Sequence, residues 1–220
     1  MTYSDFIEEL RNHAEPSFAA FQKRLIFTKY EILGVRTPTM RALAKKYKEY
    51  LKEIFSFPNE YYEVVFIKLT IVSLFPYEEF VRYVDDCVLL MDNWALCDSF
   101  KANCIKKEKR RFFEKLKELF QKGNEYQQRY ALVTCLYYYI EEEYFLSIEK
   151  FIREANIKLY YVHMAVAWLL AEILTKNYEY GVQLLKSELV DEATCHKAIR
   201  KGIESYRLTK EQKEFLSSLK

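Results

Sequence analysis

Two stretches decide the fold: Asn124-Glu-Tyr-Gln-Gln-Arg-Tyr-Ala-Leu-Val-Thr-Cys-Leu136 and, 34 residues later, Lys158-Leu-Tyr-Tyr-Val-His-Met-Ala-Val-Ala-Trp-Leu-Leu170. Related segments begin at Asn59, Asp92 and Asp191, so five starts follow one another at spacings of 33, 32, 34 and 33 residues. Eight positions into each segment stands an apolar residue: Ile67, Phe100, Leu132, Val166 and Ile199. Seven positions in, the residues are Phe66, Ser99, Ala131, Ala165 and Ala198; twelve in, they are Ile71, Cys104, Leu136, Leu170 and Ile203. A fixed period of this length is the signature of an α-solenoid, in which each helix pair buries its face on its neighbour. All four prolines lie in the first 76 residues, so nothing after Pro76 forbids helix. The expected fold is all-α, a curved superhelix of HEAT-like helix pairs with 12 to 13 helices, forming a single domain over residues 1–220.

The expected helices run at roughly 3–12, 16–25, 38–54, 59–74, 77–91, 93–105, 107–122, 124–140, 142–155, 158–175, 177–187, 191–205 and 209–219. Thr37 is expected to cap the third and Pro38 to open it. Tyr137-Tyr138-Tyr139 reads as packing on both sides of its helix.

Against this apolar pattern, four residues stand out. At about 100° per residue, the apolar offsets seven, eight and twelve point to roughly 340°, 80° and 120°. Trp94 points to about 200°, Asp98 to about 240°, Arg129 to about 140° and Trp168 to about 280°. The four are therefore expected to face away from the core and, because stacked repeats set equivalent faces side by side, to line one concave surface. A tryptophan on the wet side of a helix needs a reason, and a carboxylate one turn from it suits a flat or cationic ligand. Each residue alone also has a plain structural reading: Trp94 as half-buried packing, Asp98 as a surface charge paired with Lys101 or Lys68, Arg129 as an inter-repeat ion pair. His163 and Tyr126 share offsets with Arg129 and Trp94 and are expected to line the same surface; Cys97 is expected in the core.

The net charge of +2 makes the whole chain no magnet for polyanions. Local runs are more suggestive: Lys106, Lys107, Lys109, Arg110 and Arg111, and then Lys197, Arg200 and Lys201 with Arg207. Such clusters attract phosphates without reading base sequence, although charged runs are commonly only solvated helix faces. The five cysteines form no Cys-x-x-Cys pair and the three histidines no ligand spacing, so reduced cysteines, no metal site and no cofactor are expected. No apolar run approaches a membrane span and the first residues lack a signal-peptide pattern, which points to a cytoplasmic protein acting as a monomer.

Several motifs together carry a resemblance. Leu33-Gly-Val-Arg-Thr-Pro38 followed by Arg41-Ala-Leu-Ala-Lys45, then Trp94-x-x-x-Asp98, Gln128-Arg129-Tyr-Ala131 and Ala165-Val-Ala-Trp168-Leu-Leu-x-Glu172 resemble the HEAT-like-repeat DNA alkylation-repair family, in order and spacing, from about residue 5 to 208. The resemblance implies a DNA glycosylase that releases cationic purines such as 3-methyladenine and 7-methylguanine while leaving the lesion in the duplex. By that likeness Trp94 and Trp168 would contact the damaged nucleotide, Asp98 would support attack at the anomeric carbon and Arg129 would position the DNA. Two departures are visible. The stretch Phe18-Ala-Ala-Phe21-Gln-Lys-Arg-Leu25-Ile-Phe-Thr28 resembles a branch lacking a short N-terminal helix that closes over the damaged strand, and Ala171 stands where active members often carry a basic residue. Excision is therefore expected to be weak or absent. A non-catalytic binder of DNA structures and a protein-interaction scaffold stay open beside the enzyme.

Overall fold

The computed structural model describes residues 1–121 and 123–219. Among them are fourteen α-helices, three short 3-10 turns and no strand. The chain divides into two compact units, residues 1–108 and 109–220.

The first unit holds α1 (Tyr3–Asn12), α2 (Pro16–Leu25), α3 (Thr37–Lys46), α4 (Leu51–Ser56), α5 (Tyr62–Ser73), α6 (Tyr77–Leu89) and α7 (Trp94–Ser99), with 3-10 turns at Lys48–Tyr50 and Asn103–Lys107. Its hub is α5, which packs against α3, α4, α6 and α7 and is buried on every side from Tyr62 to Leu69. Two ionisable side chains lie inside that helix. The Glu63 carboxylate, fully buried, accepts the backbone N–H groups of Leu33, Gly34 and Val35 at 3.1, 2.7 and 3.2 Å. Burial raises its pKa, and those same N–H groups oppose the rise. One face further along, the Lys68 ammonium donates to the carbonyls of Phe55 and Phe57 at 3.0 and 2.5 Å and to Asn59 Oδ1 at 2.8 Å. One helix thus ties down both the loop before α3 and the end of α4. The loop needs glycine at its centre. Gly34 has φ +94°, and a Cβ there would stand 2.5 Å from the Glu15 carbonyl oxygen.

Two expected helices are interrupted. The span 38–54 breaks at Tyr47 (φ −102°, ψ 14°), which lets Leu51 and Ile54 join Met40, Leu43 and Ala44 in the core; this break accounts for the fourteenth helix. The span 93–105 ends at Ser99, where Phe100 leaves the helix (φ −80°, ψ 80°) and buries its ring 5.6 Å from that of Phe80. The α3 cap also differs: Arg36 is the N-cap, without a side-chain cap bond, and Thr37 is already helical.

The second unit holds α8 (Lys109–Gln121), α9 (Glu125–Tyr138), a 3-10 turn (Glu142–Tyr144), α10 (Phe145–Glu154), α11 (Tyr160–Lys176), α12 (Tyr178–Lys186), α13 (Glu192–Glu204) and α14 (Lys210–Ser218). Here α9, α11 and α13 lie side by side, with α8 and α10 on α9, α12 on α11 and α14 on α13, consistent with solenoid stacking of neighbouring pairs. The repeat explains the arrangement: Ile67, Phe100, Leu132, Val166 and Ile199 are all buried. Asn124 and Asp191 cap α9 and α13 through their side chains. The rings of Phe113, Phe120, Tyr139, Tyr144 and Phe151 fill the space between α8, α9 and α10 at centroid separations of 4.6 to 5.6 Å. Tyr139 is buried and its hydroxyl donates to the Lys109 carbonyl, whereas Tyr137 and Tyr138 are half-buried. Gly181 permits close approach of α12 to α11, since a Cβ there would meet Leu174 Cα at 2.8 Å.

Candidate nucleic-acid interface

In the first unit, the segment Asp92-Asn93 sets α7 in place. Asn93 Oδ1 accepts the Leu96 N–H at 3.1 Å and its amide donates to Asp92 Oδ1 at 2.7 Å. The Asp92 carboxylate in turn accepts the Thr28 hydroxyl at 2.8 Å and the Lys29 backbone N–H at 2.7 Å. Trp94 follows as the first residue of the helix, half-buried, its indole N–H donating to the Leu25 carbonyl at 3.3 Å. One turn on, Asp98 is half-buried, while Cys97 between them is in the core. Asp98 acts electrostatically on Lys101, and Arg41 acts on the same lysine. The pKa of Lys101 is lowered by burial and by the Arg41 guanidinium, and the Asp98 carboxylate opposes both. Arg41 and Asp98, from two separate motifs, thus act with opposite sign on the same lysine, which their separation in the chain concealed.

In the second unit, Trp168 keeps part of its surface open, whereas Arg129 does not stand on the wet face expected of it. Trp168 is half-buried on α11, its ring edge-on to Tyr137 at 6.0 Å and 85°. It lines a cavity of about 370 Å³ with Ala171, Glu172, Lys201, Tyr206 and Arg207. Arg207 closes one wall with a two-point ion pair to Glu172 at 2.7 and 2.6 Å. Arg129, by contrast, is only 5 % exposed. Its Nη1 donates to the Tyr161 carbonyl at 2.9 Å, with the guanidinium 6.0 Å from the Tyr161 ring centre. The reason lies in its direction: about 140° is close to the roughly 120° of the buried offset twelve, and α9 carries apolar residues around most of its circumference. A helix enclosed on all sides has no wet face to assign. His163 is half-buried with its Nε2 buried and without a hydrogen-bond partner, and burial first, then Lys197, lowers its pKa.

The basic clusters are partly neutralised. In the first unit Lys106 and Lys107 are exposed. In the second, Lys109 pairs with Glu141 at 2.5 Å and Arg110 with Glu143 at 3.5 Å, and Arg111 is exposed in the first turn of α8. Lys197 lies 5.8 Å from the Tyr160 ring centre; Arg200 is exposed and Lys201 half-exposed. Among the described residues no cluster of His, Cys, Asp and Glu could hold a metal ion, and no helix is long and apolar enough to cross a membrane. None of the five cysteines forms a disulfide, and three of them are buried.

No curated protein is significantly similar to the chain. Its sequence matches the profile of the family described as DNA alkylation repair enzyme over residues 6–204. The chain belongs to that family.

Proposed function

We propose that the protein binds DNA through phosphate contacts and slowly hydrolyses the N-glycosidic bond of cationic N3- and N7-alkylated purines. The observation that carries the reading is α7: a half-buried indole and a half-buried carboxylate one turn apart, with the carboxylate acting on Lys101. An alkylated purine already bears positive charge and leaves neutral, so little general acid is needed. The bond from C1′ to the base nitrogen breaks, water adds its oxygen to C1′ and releases a proton, and the sugar passes through an oxocarbenium-like state. Asp98 stabilises that charge and orients the water, as carboxylates do in glycoside hydrolysis. Trp94 offers an aromatic face to the cationic nucleotide. In the second unit Trp168 is the corresponding aromatic contact. Arg129 is a positioning residue that orders α9 against Tyr161 of α11. Exposed Lys106, Lys107 and Arg200 and half-exposed Lys201 supply phosphate contacts, so affinity falls steeply with salt.

A second reading, a DNA-binding protein without excision, is favoured by the burial of Arg129, which leaves its guanidinium turned into the fold rather than to a ligand. The discriminating experiment is release of 3-methyladenine and 7-methylguanine from alkylated duplex DNA. Slow release by the wild type and its loss in Asp98→Asn support the enzyme; salt-sensitive binding with no release supports the second reading; release unaffected by Asp98→Asn shows that the carboxylate is wrongly chosen.

A further inference from the structure

The segment that departs from the expected N-terminal pattern has its own unpartnered surface. On α2, Ala19 and Gln22 face the core with Ile26 just beyond, while Phe18, Phe21 and Leu25 line the adjoining flank, about 100° around the helix. Phe21 is 47 % exposed, Leu25 49 % and Phe27, just past the helix, 75 %. Phe18 and Phe21 lie stacked, ring centres 6.1 Å apart and planes 24° from parallel. Guanidinium groups extend the stack: Arg36 is 4.7 Å from the Phe18 ring centre and Arg24 6.0 Å from that of Phe21. From Pro16 to Tyr30 the chain has Lys23, Arg24 and Lys29 and no acidic residue. Two carboxylates beside it are engaged, Glu15 by Arg36 at 2.7 and 2.8 Å and Asp92 by Thr28, Lys29 and Asn93, while Glu31 just beyond is exposed. The strip also runs to the candidate site, because the Leu25 carbonyl receives the Trp94 indole N–H.

We propose that the outer side of α2, from Phe18 through Phe21 and Leu25 to Phe27, is a stacking platform for unpaired bases of single-stranded DNA. The proposal rests on the DNA-binding reading above and gives it a strand preference. Exposed rings interleaved with cations suit an unpaired strand, whose bases stack on the rings while its phosphates meet Lys23, Arg24 and Lys29. A helix lying on a membrane would set its cations opposite its aromatic side, whereas here Arg24 and Arg36 lie over the rings themselves.

The test is fluorescence polarisation of the full chain with a labelled dT oligonucleotide and with a blunt duplex of equal length, alongside thermal unfolding of each variant. Phe21→Ala and Phe27→Ala are each expected to weaken dT binding on the order of tenfold and duplex binding by no more than about twofold, without loss of fold. Phe27→Trp should bind like the wild type and Phe27→Leu like the alanine variant, since leucine keeps apolar area but has no ring. Full dT affinity in Phe27→Leu overturns the proposal, as does equal loss on both DNA forms. Phe27-dependent binding to phosphatidylserine vesicles, or Phe27-dependent self-association, without dT binding also overturns it and assigns the strip to a membrane or to a second copy. Duplex binding without dT binding removes this inference alone; binding to neither removes the DNA reading with it.

Discussion

The two tryptophans of the chain stand one in each unit and are held by opposite means. Trp94 opens the six-residue α7, and its position depends on loop hydrogen bonds: its own to Leu25, and those of Asp92 to Thr28 and Lys29. Trp168 sits within the seventeen-residue α11, with Ala165, Val166, Ala167, Leu169 and Leu170 all buried around it. The first is placed by polar contacts that open one at a time, the second by packing that yields only when helices separate. Chemistry assigned to Trp94 and Asp98 is therefore sensitive to the 25–35 loop in a way that the surface around Trp168 is not.

Because each unit has a single tryptophan, each can be watched alone, with Trp168→Phe isolating Trp94 and Trp94→Phe isolating Trp168. The largest expected effect is that of Glu63→Ala, which leaves the N–H groups of half-buried Leu33 and buried Gly34 and Val35 without their acceptor and should destabilise the first unit by roughly 3–5 kcal/mol. Urea unfolding followed through Trp94 should shift strongly; an unchanged midpoint would break the claim that this loop governs Trp94. Next comes Gly181→Ala, which forces α12 away from Leu174 at a cost of about 2 kcal/mol. Its unfolding midpoint should fall in the Trp168 signal, and a larger fall in the Trp94 signal would contradict packing control of Trp168.

A smaller effect should appear with pH. Burial lowers the pKa of Lys68 from 10.5 to about 8 in the folded chain. Between those values the unfolded chain holds the proton and the folded chain has released it, so folding strengthens as pH rises through that window. The three acceptors around Nζ favour the charged form and limit the gain to about 1–2 kcal/mol. Lys68→Met should flatten the rise between pH 8 and 10.5 seen in the Trp94 signal. Smallest is Arg207→Ala. Its ion pair with Glu172 is partly exposed and worth at most about 1 kcal/mol, so stability should barely move while Trp168 emission shifts to the red as the cavity wall opens.

Much of this is legible from the residues. The 33-residue period places the buried positions, because every repeat must cover its neighbour with the same face. Asn124 and Asp191 are residue types that favour caps and they do cap α9 and α13, whereas Thr37, also of a suitable type, is already helical. Less legible are the breaks at Tyr47 and Phe100, where no proline or glycine interrupts the helical pattern and the gain comes from burying Leu51, Ile54 and Phe100 against partners distant in sequence. The wheel misplaces Arg129 because it divides a helix into wet and dry sides, while α9 is enclosed nearly all round.

By itself, then, the sequence determined the helical class, the period and the family, and it nominated Trp94, Asp98, Arg129 and Trp168 as candidates, since these depend on local spacing and residue type. Only the tertiary structure decided that Glu63 and Lys68 are the buried ties of the first unit, that Asp98 and Arg41 act on the same Lys101, and that Arg129 turns inward to Tyr161. Those outcomes depend on which backbone groups lack partners once the helices have packed, and no pattern along one helix records what its neighbours leave unsatisfied.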